Sequence, residues 1–167
     1  MLSSALKQFT AQQPMRCRAF HNARTLHAEK SVSSSFNTQA VAEQFSLSPA
    51  TLVQALTHKS YKHGKVPTNE RLQYVGRRSL EFFAMEANLA KKNNVTELAD
   101  AVKSVFKVDH LTNKFDALGL EAGVQCDLPK GKVTSAVKVQ VVEAMVGAVY
   151  HERGLNAAKE FVKKHVL

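Results

Sequence analysis

The 167-residue chain has no tryptophan and only two cysteines, Cys17 and Cys126. They lie far apart, and no Cys-x-x-Cys or paired His/Cys spacing accompanies them, which argues against a zinc site or a disulfide framework. A reducing compartment is compatible with this usage. Long apolar runs are missing too. The longest, Val137–Tyr150, is interrupted by Lys138, Gln140 and Glu143, well short of the roughly 18–20 residues that cross a bilayer. No alternating apolar/polar strand pattern and no internal repeat is present, so the periodicity predicts an all-α domain. At this length the chain accommodates one domain and an extension, with enough residues to bury a core.

Acidic residues are absent from the first 28 positions, which hold Lys7, Arg16, Arg18 and Arg24 before Glu29 appears. Apolar residues (Leu2, Leu6, Phe9, Met15, Phe20) are interspersed among these cations. A basic, acid-free amphipathic segment is attracted to negative membrane surfaces, and the composition is that of a mitochondrial transit peptide. Arg18-Ala19-Phe20 is similar to the cleavage region of such presequences. The plain alternative is a basic arm. Residues 1–40 are therefore assigned to a presequence and linker (Ser31–Ser35), and 41–167 to the domain. Net charge is +9 overall, and 19 basic against 14 acidic residues remain beyond the first 28. A polyanionic partner is compatible with that balance, as is an ordinary mildly basic domain.

Within the domain, Ser48-Pro49 is a helix start, Ser as N-cap and Pro at the first helical position. The helix carries Leu52, Val53, Ala55 and Leu56, then Thr57-His58-Lys59-Ser60-Tyr61 and a basic loop, Lys62-His63-Gly64-Lys65. His58 reads as a hydrogen-bonded structural residue rather than a ligand or base. A long helix from Asn69 to about Lys91 places Leu72, Gly76, Leu80, Phe83, Ala87 and Ala90 on one face. Gly76 costs roughly 1 kcal/mol there relative to Ala, so another backbone is expected against it. Shorter helices follow from Thr96 to Phe106 and from Asp109 to Leu118, with a loop over Glu121–Gly131. From Thr134 to His151 the pattern is apolar almost all round (Val137, Val139, Val141, Val142, Met145, Val146, Val149), which marks a buried helix. Gly154 ends it, and Leu155–Val166 forms the last amphipathic helix.

Asn69-Glu70-Arg71-Leu72-Gln73-Tyr74-Val75-Gly76-Arg77-Arg78-Ser79-Leu80 resembles the signature helix of the ribonuclease III family, Asn-Glu-Arg-Leu-Glu-Phe-Leu-Gly-Asp-Ser-Val-Leu. The Leu56-Thr57-His58-Lys59-Ser60-Tyr61 string and Val108–Leu120 are similar to other segments of that family, and the ordered series covers Leu52 to His165, 114 of 167 positions. The resemblance implies the all-α ribonuclease III endonuclease-domain fold, here without the separate double-stranded-RNA-binding domain. It also implies four acids that hold Mg²⁺, two on the signature helix and two in a late Asp-x-x-Glu-Ala motif. Carried onto this chain, those positions are Gln73, Arg77, Gln140 and Glu143. Gln offers no charge and Arg stays protonated, so no catalytic residue, metal or cofactor is expected. Arg77 is expected to pair with Glu143 or to face outward.

Family members dimerise through the signature helix, which implies an interface around Leu72, Val75, Gly76, Phe82 and Phe83; plain intramolecular core is the alternative for each. Candidate RNA contacts are Arg77, Arg78, Lys103, Lys107, Lys130, Lys132, Lys138, Lys163 and Lys164, where the alternative is a solvated helix face. Together, the presequence-like start and the missing acids resemble the ribonuclease-III-like proteins of the mitochondrial large ribosomal subunit, of the fungal type. The implied role is structural: binding ribosomal RNA, ribosomal proteins and a second ribonuclease-III-like protein as a heterodimer in the matrix, without membrane insertion or hydrolysis. Two other readings are an active mitochondrial RNA-processing endonuclease with a relocated metal site, and a non-ribosomal pseudo-enzyme subunit that stabilises an active partner.

Overall fold

The computed structural model describes residues 36–128 and 132–167; the segment expected to be a presequence (Met1–Ala28), the expected Ser31–Ser35 linker and Lys130 lie outside them. Six α-helices follow in order: α1 Thr38–Phe45, α2 Pro49–Leu56, α3 Glu70–Leu89, α4 Val95–Val105, α5 Val108–Leu118 and α6 Ser135–His165. Two 3-10 turns, Tyr61–Gly64 and Glu121–Gly123, break the connections. Among the described residues the only β pairing is an isolated parallel bridge between Thr57 and Gln125.

Local chemistry sets the helix ends. Ser48 caps α2 by accepting from Thr51 N–H, with Pro49 at the first helical position, and Asn94 caps α4 in the same way. Each satisfies an N–H that the helix leaves open. α5 closes on Gly119 at φ 66°. Gly154 interrupts α6 at φ 78°, ψ −174°, so the helix bends where the sequence pattern placed an end. Helix α1 was not anticipated as an element. Its signal was short: Asn37 capping Ala40 N–H, then Ala42 and Phe45 buried one turn apart. Phe36 packs on Gly123, so the ordered fold begins a few residues ahead of Val41.

The core is built around the first half of α6, in which every residue from Val141 to Val149 is buried. Helix α3 makes the most extensive interface with it, burying Leu72, Gly76, Leu80, Phe83 and Ala84. The two cross at a pair of glycines. A Cβ on Gly76 would lie 1.8 Å from Glu143 O and 2.6 Å from Gly147 N, and one on Gly147 would lie 1.9 Å from Leu72 O. The backbones thus touch directly, as the unusual glycine in the helix required, and at the crossing the helices run antiparallel. Helices α2 and α5 pack on other sides of α6. Phe45 of α1 meets Phe161 edge-on, with ring centroids 5.7 Å apart.

Both atoms a Gly76 Cβ would strike are backbone, so no rotamer change relieves the clash. Gly76→Ala is therefore expected to destabilise by at least about 3 kcal/mol, lowering the thermal midpoint by about 10 °C. Gly119→Ala, with open space around it but φ 66°, is expected to cost only about 1 kcal/mol. Melts followed by circular dichroism distinguish the two.

Candidate functional site

Because α3 and α6 touch at Gly76 and Gly147, side chains one turn to either side are brought face to face. Gln73, one turn before Gly76, donates from Nε2 to Glu143 Oε2 at 2.9 Å. Arg77, next to Gly76, holds Nη1 3.6 Å from Glu143 Oε1. Glu143 is 1% exposed, and Oε1 has no hydrogen-bond partner. The outer part of Arg77 remains in solvent, its side chain 60% exposed, with the guanidinium 5.5 Å from the centre of the Phe106 ring. Of the two alternatives, Arg77 takes up the pair with Glu143, while most of its side chain stays in solvent.

Burial pushes the Glu143 carboxyl above the ordinary range, while the Gln73 hydrogen bond and the Arg77 charge pull the other way. Desolvation of a carboxylate outweighs one amide donor and one cation that is largely hydrated. Gln140 lies one turn earlier on α6, beside His58. That histidine is 8% exposed, and its Nδ1 is 2.9 Å from Ser60 Oγ. Burial, with the Lys59 charge behind it, lowers the His58 pKa; Glu70 and the Gln140 contact oppose the shift. His58 is buried and hydrogen-bonded through Nδ1. Gln73, Arg77 and Glu143 therefore meet at the crossing, with Gln140 one turn earlier on α6 against His58, and Glu143 is the one carboxylate of the four.

The expected dimer residues divide. Leu72, Gly76 and Phe83 are buried within the protomer, where α3 faces α6, and so do not form an outer face. Val75 and Phe82 are exposed, and with them stand Tyr74 (67% exposed), Met85 and Leu89 (65%). The spacing 74, 78, 82, 85, 89 is one helix stripe, opposite the buried face. Its apolar members Tyr74, Met85 and Leu89 were missed because the buried stripe of the same helix drew the assignment.

The basic candidates also divide. Lys138 is removed from the surface set: its side chain is 15% exposed and its Nζ is 2.7 Å from Asp116 Oδ1, over the Phe115 ring, so it ties α6 to α5. Arg78 pairs with Glu81, Lys103 with Asp100 and Lys163 with Glu160, all one turn apart on exposed surface. Such pairs are worth little and leave these cations open to a polyanion. Lys107, Lys132 and Lys164 are exposed.

The profile of the ribonuclease-III-like family matches residues 48–167. The chain belongs to the ribonuclease-III-like family. Ribonuclease 3 of Thermobifida fusca is 31% identical over 126 residues, which cover 71% of this chain and 52% of that protein. Ribonuclease 3 of Streptomyces coelicolor is 31% identical over 128 residues, covering 72% and 46%. The chain spans about half the length of these curated relatives. The nuclease domain of ribonuclease III from Campylobacter jejuni superposes with a TM-score of 0.70 at 23% identity, covering 78% of this chain and 96% of that one. That likeness establishes the fold of this ribonuclease-III-like chain.

The raised Glu143 pKa sets a pH dependence. The native state holds that proton more tightly than the unfolded chain, so the associated stability is fully present below the ordinary carboxyl value, about 4.3. It is lost as pH rises through the raised native value. Glu143→Gln fixes the neutral form. It is expected to melt above the unsubstituted protein at pH 7–8, with the gap closing towards pH 4. A variant that melts lower throughout that range contradicts the assignment.

Proposed function

We propose that this protein is a non-hydrolytic, RNA-binding member of its family, a structural component of the mitochondrial large ribosomal subunit that pairs with a second ribonuclease-III-like protein. The observation that carries the loss of hydrolysis is the donor set at the α3–α6 crossing. Mg²⁺ prefers carboxylate oxygens in near-octahedral array. Here Glu143 Oε2 is already engaged by the Gln73 amide, and Oε1 faces a permanent cation at 3.6 Å. At about 4–5 Å and an effective dielectric near 20, each unit of charge is worth roughly 4 kcal/mol against another, more against a divalent ion. Replacing a carboxylate by a guanidinium changes two units. The residues present therefore do not fit the family's metal. A relocated centre has no donor set either among the described residues, where no group of three His, Cys, Asp or Glu side chains stands together.

The exposed stripe of α3 supports a partner. Tyr74, Phe82, Met85 and Leu89 are large apolar side chains left partly in water by the protomer, each worth about 1 kcal/mol when the exposed part is covered. The excess of 19 basic over 14 acidic residues beyond the first 28 and the solvent-facing Lys107 and Lys164 support an RNA surface. The acid-free start, Met1–Ala28, supports import into the matrix. The names of the bacterial relatives favour a second reading, an active RNA-processing endonuclease, and a non-ribosomal pseudo-enzyme subunit is the third.

Sedimentation of mitochondrial lysate through sucrose separates these readings. The protein is expected with large subunits; recovery at the top of the gradient, or with a nuclease, overturns the ribosomal assignment. Purified protein is expected to leave duplex RNA intact in Mg²⁺, and cleavage that Glu143→Gln abolishes would contradict the loss of hydrolysis. Phe82→Glu with Leu89→Glu is expected to weaken partner association at least 100-fold, since both apolar contacts are lost, while leaving the melting temperature of the isolated protomer within a few degrees.

A further inference from the structure

Between α2 and α3 the chain makes an unusual turn. Lys62, His63 and Gly64 all take left-handed backbone conformations, at φ 47°, 54° and 70°. For two non-glycine residues in succession this is strained, and it persists where surrounding contacts enforce it. Those contacts come from the loop after α5. Lys62 N–H donates to Asp127 Oδ2 at 2.9 Å, Asp127 N–H donates to Ser60 Oγ at 3.0 Å, and His58 N–H donates to Gln125 O at 2.9 Å. The result is a fixed basic projection, with Lys59, Lys62, His63 and Lys65 in seven residues and no acid among them.

Beside this turn opens a groove of about 690 Å³, lined on its apolar side by Pro49, Val53, Val66 and Pro67, with Tyr61 and Lys62 at the basic side and Gln125 beyond. The Lys62 ammonium rests 5.4 Å from the centre of the Tyr61 ring. Thr57 Oγ1 donates to Val53 O at 2.7 Å and lies 3.2 Å from Gln125 Oε1. Two carboxylates border the turn: Asp127, which accepts from Lys62 N–H, and Glu70, 3.9 Å from Lys59.

We propose that this groove takes an unpaired RNA nucleotide, the base packed on Tyr61 and the apolar wall, the phosphate on the turn of Lys62, His63 and Lys65. Size, an aromatic face and a basic rim are the features by which single-stranded RNA is held. Charge decides against an apolar or basic peptide as the occupant. The inference rests on the RNA-binding reading and adds to it a preference for unpaired over duplex RNA.

The test is fluorescence anisotropy of the full chain with a labelled single-stranded RNA octamer, a blunt RNA duplex and an oligoglutamate peptide. Tyr61→Leu is expected to weaken octamer binding about tenfold, the effect of losing one stacked base, while duplex binding is unchanged. Tyr61→Phe keeps the ring and is expected to bind as the unsubstituted protein does, which separates stacking from misfolding. Lys62→Ala with Lys65→Ala is expected to reduce the salt slope of octamer binding by about 1. Octamer affinity indifferent to Tyr61→Leu, loss of the same size in Tyr61→Phe, or an equal effect on the oligoglutamate overturns the nucleotide site. Duplex binding that survives in that event leaves the RNA-binding reading standing; failure of every RNA to bind removes both.

Discussion

The contact between the backbones of α3 and α6 at Gly76 and Gly147 governs this molecule. Two helices normally stand 8–10 Å apart, held off by their side chains. Here glycine on both sides removes the spacers, and a Cβ on either would strike backbone atoms. Close approach carries the residues one turn away into contact across the interface. Gln73 and Arg77 reach Glu143 for that reason and no other. The same approach buries Glu143 beneath the crossing, since α6 is enclosed from Val141 to Val149.

A carboxylate placed there must be compensated. Divalent metal and neighbouring acids are one solution, and an internal cation is another. This chain carries the second in part. Arg77 stands against Glu143 Oε1 without closing a hydrogen bond, and the amide of Gln73 satisfies only the other oxygen. Burial still outweighs both, leaving the carboxyl pKa raised. The pair is thus a compromise between a guanidinium that prefers water and a carboxyl that the fold has enclosed.

Much of this was legible in the sequence, and for identifiable reasons. Gly76 inside an otherwise regular helix announced a close approach, and Ser48-Pro49, Gly119 and Gly154 marked ends that the backbone follows. The all-round apolar run from Val137 to Val149 could belong only to a central helix. What escaped was whatever depends on which of two faces points inward. Helix α3 is apolar on both sides, so Leu72 and Phe83 were grouped with Phe82 although they face opposite ways. Lys138 read as surface because its charge was visible and Asp116, 22 residues away, was not. Helix α1 has too few turns for periodicity to register, and its order comes from Phe45 stacking on a helix at the far end of the chain.

We propose that the Arg77 cation, 3.6 Å from Glu143 Oε1, stands in place of a metal ion at the helix crossing. Titration of the protein with Mn²⁺, followed by the loss of free-ion paramagnetic resonance signal, addresses it directly. The account predicts no stoichiometric site with a dissociation constant below the millimolar range, and no difference between the unsubstituted protein and Glu143→Gln. A saturable site of one or two ions, lost on that substitution, would contradict it.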